Sequence, residues 1–254
     1  MPWDPEVYNQ FKDIRYQPFF DLMNLISQEN LKKAIDIGCG TGEQTKILSE
    51  KFSNTEFLGI DSSAEMLAGS NLFQNDRLHF KQKTVEELYD SDEKWDFIFS
   101  NAALQWSDDH EKLFPKLLSL LSEKGQFAVQ MPVQSENRLN QILFQLASEE
   151  PFKTQLEDWN RVSPVLSLDE YAKIMFDSGL KDLNISVKVY PIIAEDAEKL
   201  FKFISGSALI PYLERLDEVN EAKFINEYKK RIEENFDSFP AIYAFKRILL
   251  YGRK

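Results

Sequence analysis

The segment Ala34-Ile-Asp-Ile-Gly-Cys-Gly-Thr-Gly-Glu-Gln-Thr45 constrains the chain more than any other, because three glycines at alternate positions follow directly on a short apolar run that carries one acid. A strand that turns at once into a helix beside a ligand needs residues free to take positive φ and to let backbone atoms approach closely. Gly38, Gly40 and Gly42 supply that freedom. A dinucleotide fingerprint would put the third glycine one position later, and a phosphate loop would carry Lys followed by Ser or Thr. Neither is present. Instead, Asp36 precedes the first glycine by two residues, and a second apolar run, Phe57-Leu-Gly-Ile60, leads straight into Asp61. An acid at the end of a second strand, about 20 residues on, is placed to accept hydrogen bonds from ribose hydroxyls. The bland alternative is an ordinary turn in an α/β protein; the acid at 61 argues against it.

The 254 residues, 43% of them hydrophobic, suffice for one α/β domain with an appended region or for two small domains. No apolar run reaches the roughly 18 residues of a membrane span, and Met-Pro-Trp-Asp-Pro-Glu lacks the basic and apolar stretches of a signal peptide, so the expectation is a cytoplasmic protein. Cys39 is the single cysteine, which excludes an intrachain disulfide and leaves no cysteine cluster for a structural metal. A formal charge of −12 argues against nucleic acid or an anionic membrane as partner, and an anionic substrate would need a local basic pocket. The oligomeric state is left open, and a monomer would suffice.

Strand and helix alternate through about residue 132, without internal repeats. Residues 5–26 read as two short helices, with Pro18 starting the second. Strands are expected at 33–37, 56–60, 77–81, 94–99 and 125–131, and helices at 43–51 and 109–121, with a helix opening at 62 on a Ser62–Glu65 capping box. Residues 113, 114, 117, 118 and 121 share one helical face. The later part reads as helices at 137–152, 167–178 (with a Ser167–Glu170 capping box), 197–205 and 221–235, and as strands at 183–193 and 241–251, the last returning to the same sheet. Such alternation implies a parallel sheet with right-handed crossovers and ligands at the carboxyl ends of its strands.

The pattern Asp-x-Gly-x-Gly-x-Gly followed by Asp61 resembles that with which class I methyltransferases hold S-adenosylmethionine, a cofactor with an amine, a ribose and a sulfonium but no phosphate. A narrower resemblance runs through Ser100-Asn-Ala-Ala-Leu-Gln-Trp-Ser-Asp-Asp-His110 and Gln126-Phe-Ala-Val-Gln-Met-Pro132. Together with Trp3, Pro5, Tyr8, Phe11, Arg15 and Pro18, with Gly59-Ile-Asp-Ser-Ser63, and with Leu209-x-Pro-Tyr-Leu213 and Ala244-Phe-x-Arg247, these segments resemble the trans-aconitate methyltransferase family. The match is continuous over about the first 132 residues and patchy afterwards. It implies a Rossmann-like, mostly parallel seven-stranded sheet with helices on both faces and a helical cap. The expected division is a lid segment at 1–30, a cofactor-binding core at 31–135, a substrate region at 136–240 interleaved with the strand near 183–193, and the last strand at 241–254.

By this resemblance Asp36, Gly38, Cys39 and Gly40 face the methionine end of S-adenosylmethionine, Asp61 the ribose, and Ser62 and Met66 the adenosine surroundings. Thr84 and Val85 would lie by the adenine, and Asn101 and Ala102 near the methionine portion and sulfonium. Tyr8, Arg15, Gln105, Trp106 and Arg247 are the substrate candidates, the two arginines because a guanidinium can engage a carboxylate bidentately. Each has a plainer alternative: helix core for Met66, a capped loop for Thr84 and Val85, an ion pair for either arginine, core for Trp106. His110 reads as a residue at a helix start, and His79, inside a strand, as structural. The Glu-rich helix 221–234 reads as a solvated face.

The chain departs from the family pattern where it reads Ile210 between Leu209 and Pro211 in place of an arginine, Gln17 in place of an arginine before Pro18, and Tyr190-Pro-Ile in place of a Tyr-Tyr-His run. Methyl transfer is therefore better supported by the sequence than trans-aconitate itself. A carboxylate, ionised above pH ~4, can attack a sulfonium methyl without a general base, so no catalytic triad, metal or base is required. Three readings stand: a carboxyl O-methyltransferase for a small acid such as trans-aconitate, one for a more apolar or carrier-linked acid, and a non-catalytic S-adenosylmethionine-binding protein.

Overall fold

The computed structural model describes residues 12–29, 31–89 and 91–254, with side chains from Tyr16 onward. Apolar runs make its central strands: Ala34 to Ile37 in β1 (Lys33–Ile37), broken only by Asp36, Phe97 to Phe99 in β4 (Trp95–Asn101) and Phe127 to Val129 in β5 (Leu121–Pro132) are buried. This is the signature of strands covered on both faces. With β2 (Glu56–Asp61), β3 (Leu78–Gln82), β6 (Lys181–Ala194) and β7 (Ala241–Arg253) they form a seven-stranded sheet of order β3-β2-β1-β4-β5-β7-β6. The first five pair in parallel, and β7 runs antiparallel beside β5. The mostly parallel, Rossmann-like sheet expected from the sequence is the one observed, including the return of the last strand.

The helices are α1 (Lys12–Met23), α2 (Glu43–Lys51), α3 (Ala64–Leu67), α4 (His110–Ser119), α5 (Arg138–Ala147), α6 (Phe152–Gln155), α7 (Leu168–Asp177), α8 (Ala197–Ser205), α9 (Ile210–Leu213) and α10 (Glu218–Glu234). Among the described residues, no helix is long and apolar enough to cross a membrane. Two compact units emerge, one of residues 18–132, 164–188 and 247–254, the other of 133–163 and 189–246 with 12–17. In the first, Phe19, Phe52, Phe57, Phe97 and Phe99 meet in tilted or edge-to-face contacts, with centroids 5.7 to 6.5 Å apart, beside the sheet. In the second, Leu139, Leu143, Phe201, Tyr212, Phe224, Tyr228 and Ile232 belong to one helical core. Tyr228 sits in that core with its hydroxyl donating to the Leu139 carbonyl at 2.9 Å, which removes the penalty of burying it.

Four expectations are corrected. Pro18 does not start a helix: it lies inside α1, where burial of Phe19, Leu22 and Met23 outweighs the missing N–H. The expected partner helix before it falls largely on residues 1–11, outside the described residues. Ser63, not Ser62, caps α3, because the Asp61 carboxylate takes the Ser63 N–H (2.9 Å) and turns the chain before Ser63 Oγ accepts from the Met66 N–H. The helix expected over 137–152 ends at Ala147, where Ser148 Oγ and Asn160 Nδ2 both donate to the Phe144 carbonyl. Leu121 opens β5 rather than closing α4. The Ser167–Glu170 capping box is present as expected, at the start of α7.

His110, expected only at a helix start, is buried in the seam between α4 and α7. Its Nε2 lies 2.9 Å from the Leu104 carbonyl and its Nδ1 2.5 Å from the Tyr171 hydroxyl, which also accepts the Leu166 N–H at 3.2 Å. A carbonyl only accepts, so in the neutral imidazole Nε2 carries the proton and the tyrosine donates to Nδ1. His79, by contrast, is exposed on β3, an edge strand. Tyr171→Phe should cost about 1–3 kcal/mol in urea denaturation, since it strands a buried acceptor and a backbone donor at once.

Candidate active site

At the carboxyl end of β1 the chain turns through Gly38, Gly40 and Gly42 with φ of +74°, +56° and +83°. The three glycines answer to different neighbours. A Cβ at Gly38 would stand 2.1 Å from the Ala103 Cβ, and one at Gly42 2.7 Å from the Phe80 ring. At Gly40 a Cβ would meet, among the described residues, only the Met66 Cε, at 3.2 Å. Gly38 and Gly42 therefore let protein pack against the loop, while at Gly40 the end of the flexible Met66 side chain is all that approaches among the described residues.

The loop hangs on the end of β2. The N–H groups of Gly38 and Cys39 both donate to the Ile60 carbonyl, at 2.8 and 2.9 Å. Asp61 Oδ2 accepts the Gly40 N–H at 2.9 Å while its Oδ1 accepts the Ser63 N–H at 2.9 Å. Each carboxylate oxygen has a second lone pair, so two further donors, such as a pair of ribose hydroxyls, can be accepted there.

Asp36, next to the loop in β1, is only 2% exposed, and Thr45 Oγ1 of α2 donates to its Oδ2 at 2.6 Å. Burial pushes its carboxyl up to about 7, against the Thr45 hydrogen bond, and the nearby Asp61 charge adds to the rise. Burial, then the Asp36 and Asp61 charges, also push the Cys39 thiol upward, so it is a small filler and not a nucleophile. On β4, Asn101 Nδ2 donates to Gln44 Oε1 at 2.9 Å, while its Oδ1 is buried with no donor among the described residues. Ala102 follows at φ +55°, its N–H on the Gln130 carbonyl of β5.

The remaining candidates are distributed as follows. Gln105 is buried with Nε2 donating to the Ala102 carbonyl at 2.7 Å, and Trp106, 42% exposed, is not core. Arg247 is 7% exposed, its Nη1 donating to Gln130 Oε1 at 2.6 Å. Met66 stands against Gly40 rather than in a core. Ser62 is exposed, its carbonyl accepting from Gln82 Nε2. Thr84 is exposed in a capped turn whose N–H donates to Glu87 Oε2 at 2.7 Å, and Val85 beside it is buried. Tyr8 lies outside the described residues, as does the side chain of Arg15. Sequence reasoning missed Gln44, Thr45 and Gln130, which orient Asn101, Asp36 and Arg247. A visible signal existed for Gln130 alone, a polar residue that interrupts the apolar stretch from Phe127 to Met131.

The acceptors gathered here suit a cationic, ribose-bearing, phosphate-free cofactor: an Asn101 oxygen unmet among the described residues and the Asp36 and Asp61 carboxyl groups beside the glycine loop. A trans-aconitate 2-methyltransferase of Deinococcus radiodurans is 39% identical over the whole chain and 99% of its own length. The chain belongs to the trans-aconitate 2-methyltransferase family. A methyltransferase domain model matches residues 28–196. The YcgJ protein of Bacillus subtilis superposes with a TM-score of 0.62 at 19% identity, covering 94% of this chain and 98% of that one. A Haemonchus contortus phosphoethanolamine N-methyltransferase 2, solved with S-adenosyl-L-methionine, gives 0.57 at 16% identity, covering 94% of this chain and 52% of that one. Like its family, the chain is an S-adenosylmethionine-dependent methyltransferase.

The raised Asp36 carboxyl links folding to pH. Its folded value, about 7, exceeds the ordinary 3.8, so the folded chain binds more protons between them. The stability this group contributes is full below about pH 4 and is lost as pH rises through 7. In urea titrations from pH 4 to 8, wild type should lose stability relative to Asp36→Asn by an amount on the order of a few kcal/mol.

Proposed function

We propose that this methyltransferase esterifies a carboxylate of a small polycarboxylic acid, trans-aconitate or a close relative of it. The observation that carries the reading is the buried Arg247 guanidinium, held by Gln130 beside the end of β5 in a chain of net charge −12. An acidic protein that takes an acidic substrate needs such a local cation. The name of the Deinococcus relative supplies the acid.

Bound S-adenosylmethionine supplies an electrophilic methyl group on a sulfonium centre. Around it, Asp36, Gly38, Cys39 and Gly40 are assigned to the methionine end, Asp61 to the ribose, Ser62 and Met66 to the adenosine surroundings, Thr84 and Val85 to the adenine, and Asn101 and Ala102 to the methionine portion. Arg247 draws in the acid, and Gln105 and Trp106 present its reacting oxygen, with Tyr8 and Arg15 as further substrate contacts. An ionised carboxylate needs no proton removed, so the residues act by aligning oxygen, methyl carbon and sulfur and by excluding water. Residues 136–240, where Tyr190 and Ile210 depart from the family pattern, are assigned to substrate choice. The enzyme is taken to work in the cytoplasm on a free small molecule.

The test is transfer of labelled methyl from S-adenosylmethionine to trans-aconitate beside mono- and dicarboxylic acids of increasing apolar length. Base-labile label should appear on trans-aconitate, and Arg247→Met should lower kcat/KM for it about 10- to 100-fold. Label confined to long apolar acids would contradict the substrate assignment and favour an enzyme for apolar acids.

A further inference from the structure

Beyond holding Arg247, Gln130 has no role in the cofactor or substrate assignments above, yet its side chain is fully buried and its amide nitrogen has no partner among the described residues. Arginine has only donors, so the Gln130 amide must turn its Oε1 toward Arg247, as it does at 2.6 Å. The planar amide then carries Nε2 the other way, where it meets no acceptor among the described residues. Neighbouring amides differ: Gln105 Nε2 donates to the Ala102 carbonyl and Asn101 Nδ2 to Gln44. A buried donor left unpaired is destabilising, and a ligand that supplies the missing acceptor is one reason a native protein keeps it.

Register sharpens the point. Gln130 pairs directly with Asn101 across β4 and β5, and registered residues of neighbouring strands, about 4.8 Å apart, carry their side chains on one face. One of the two has an unmet acceptor, Asn101 Oδ1, and the other an unmet donor, Gln130 Nε2. The acceptor suits a cationic cofactor and the donor an anionic substrate. Arg247, opposite Pro132 in β7, brings the guanidinium to the same place.

We infer that Gln130 and Arg247 are a joint receptor for a substrate carboxylate that is not methylated, Gln130 donating through Nε2 while its Oε1 fixes the guanidinium. The inference rests on the reading of the chain as a carboxyl methyltransferase. A carboxylate held by a guanidinium and an amide has its lone pairs engaged and is a weakened nucleophile. The pair therefore suits a spectator carboxylate, and the acid accepted must carry at least two.

Two variants separate the roles of Gln130. Gln130→Met removes both ends of the amide; Gln130→Glu keeps an acceptor for Arg247 but loses the Nε2 donor. With the full chain, KM and kcat are measured for mono-, di- and tricarboxylic acids, and affinity for S-adenosylhomocysteine is measured by calorimetry. Both variants should raise KM for polycarboxylic acids about 10- to 100-fold with cofactor-product affinity unchanged, and Gln130→Glu should keep the wild-type Tm. Unchanged KM, or a KM rise matched by loss of S-adenosylhomocysteine affinity in both variants, would overturn the inference and leave the proposed reaction standing. If wild type methylates another polycarboxylic acid but not trans-aconitate, the substrate assignment fails and Gln130 is judged on that acid. Turnover of monocarboxylic acids alone, or binding of no acid, would overturn the inference.

Discussion

The Asp61 carboxylate holds the site together. One oxygen takes the Gly40 N–H and the other the Ser63 N–H, so a single side chain at the end of β2 fixes both the glycine loop and the entry to α3. Because β1 and β2 are registered with Asp36 opposite Gly59, that tie also sets the loop's height above the sheet. Side chains then close on the loop's glycines, Ala103 on Gly38, Met66 on Gly40 and Phe80 on Gly42. Carboxylate acceptors for backbone N–H groups make strong, charge-assisted bonds, which suits a loop that must be in place before its ligand arrives.

The site's charges follow the same economy of position. Asp36, pushed up by burial and by Asp61, is poised so that a nearby positive group would favour its ionised form. On the other side of Asn101, Gln130 and Arg247 present donors. A sheet whose adjacent strand ends offer acceptors at β1, β2 and β4 and donors at β5 and β7 suits the proposed seating of a cation beside an anion. That is the pairing of reactants a carboxyl methyltransferase requires.

Much of this was legible from the residues. The limits of β1, α2 and α8 follow from apolar runs and glycine or acidic caps, and Asp36, Gly38, Gly40 and Asp61 are visible because the loop's spacing admits few alternatives. Pro18 misled because its local preference was outweighed by Phe19 packing edge-to-face on Phe99, a contact 80 residues away in the chain. The cap of α3 moved by one residue because Asp61 serves two partners, which only the fold reveals. Thr45 and Gln44 escaped notice because polar residues in the first turn of a helix are common, and their partners, Asp36 and Asn101, lie on strands. His110 stands at a helix start as expected, but its buried link to Tyr171 escaped notice for the same reason, the partner lying 61 residues on.

The most direct measurement is a calorimetric titration of S-adenosylhomocysteine into wild type and Asp61→Asn, with thermal unfolding of both. If the carboxylate both pins the glycine loop and receives the ribose, the substitution should weaken binding at least about tenfold, some 1.4 kcal/mol, while the sheet still unfolds cooperatively. Equal affinity in the two proteins would contradict the account, because the loop would then hold its cofactor without the one side chain on which its geometry depends.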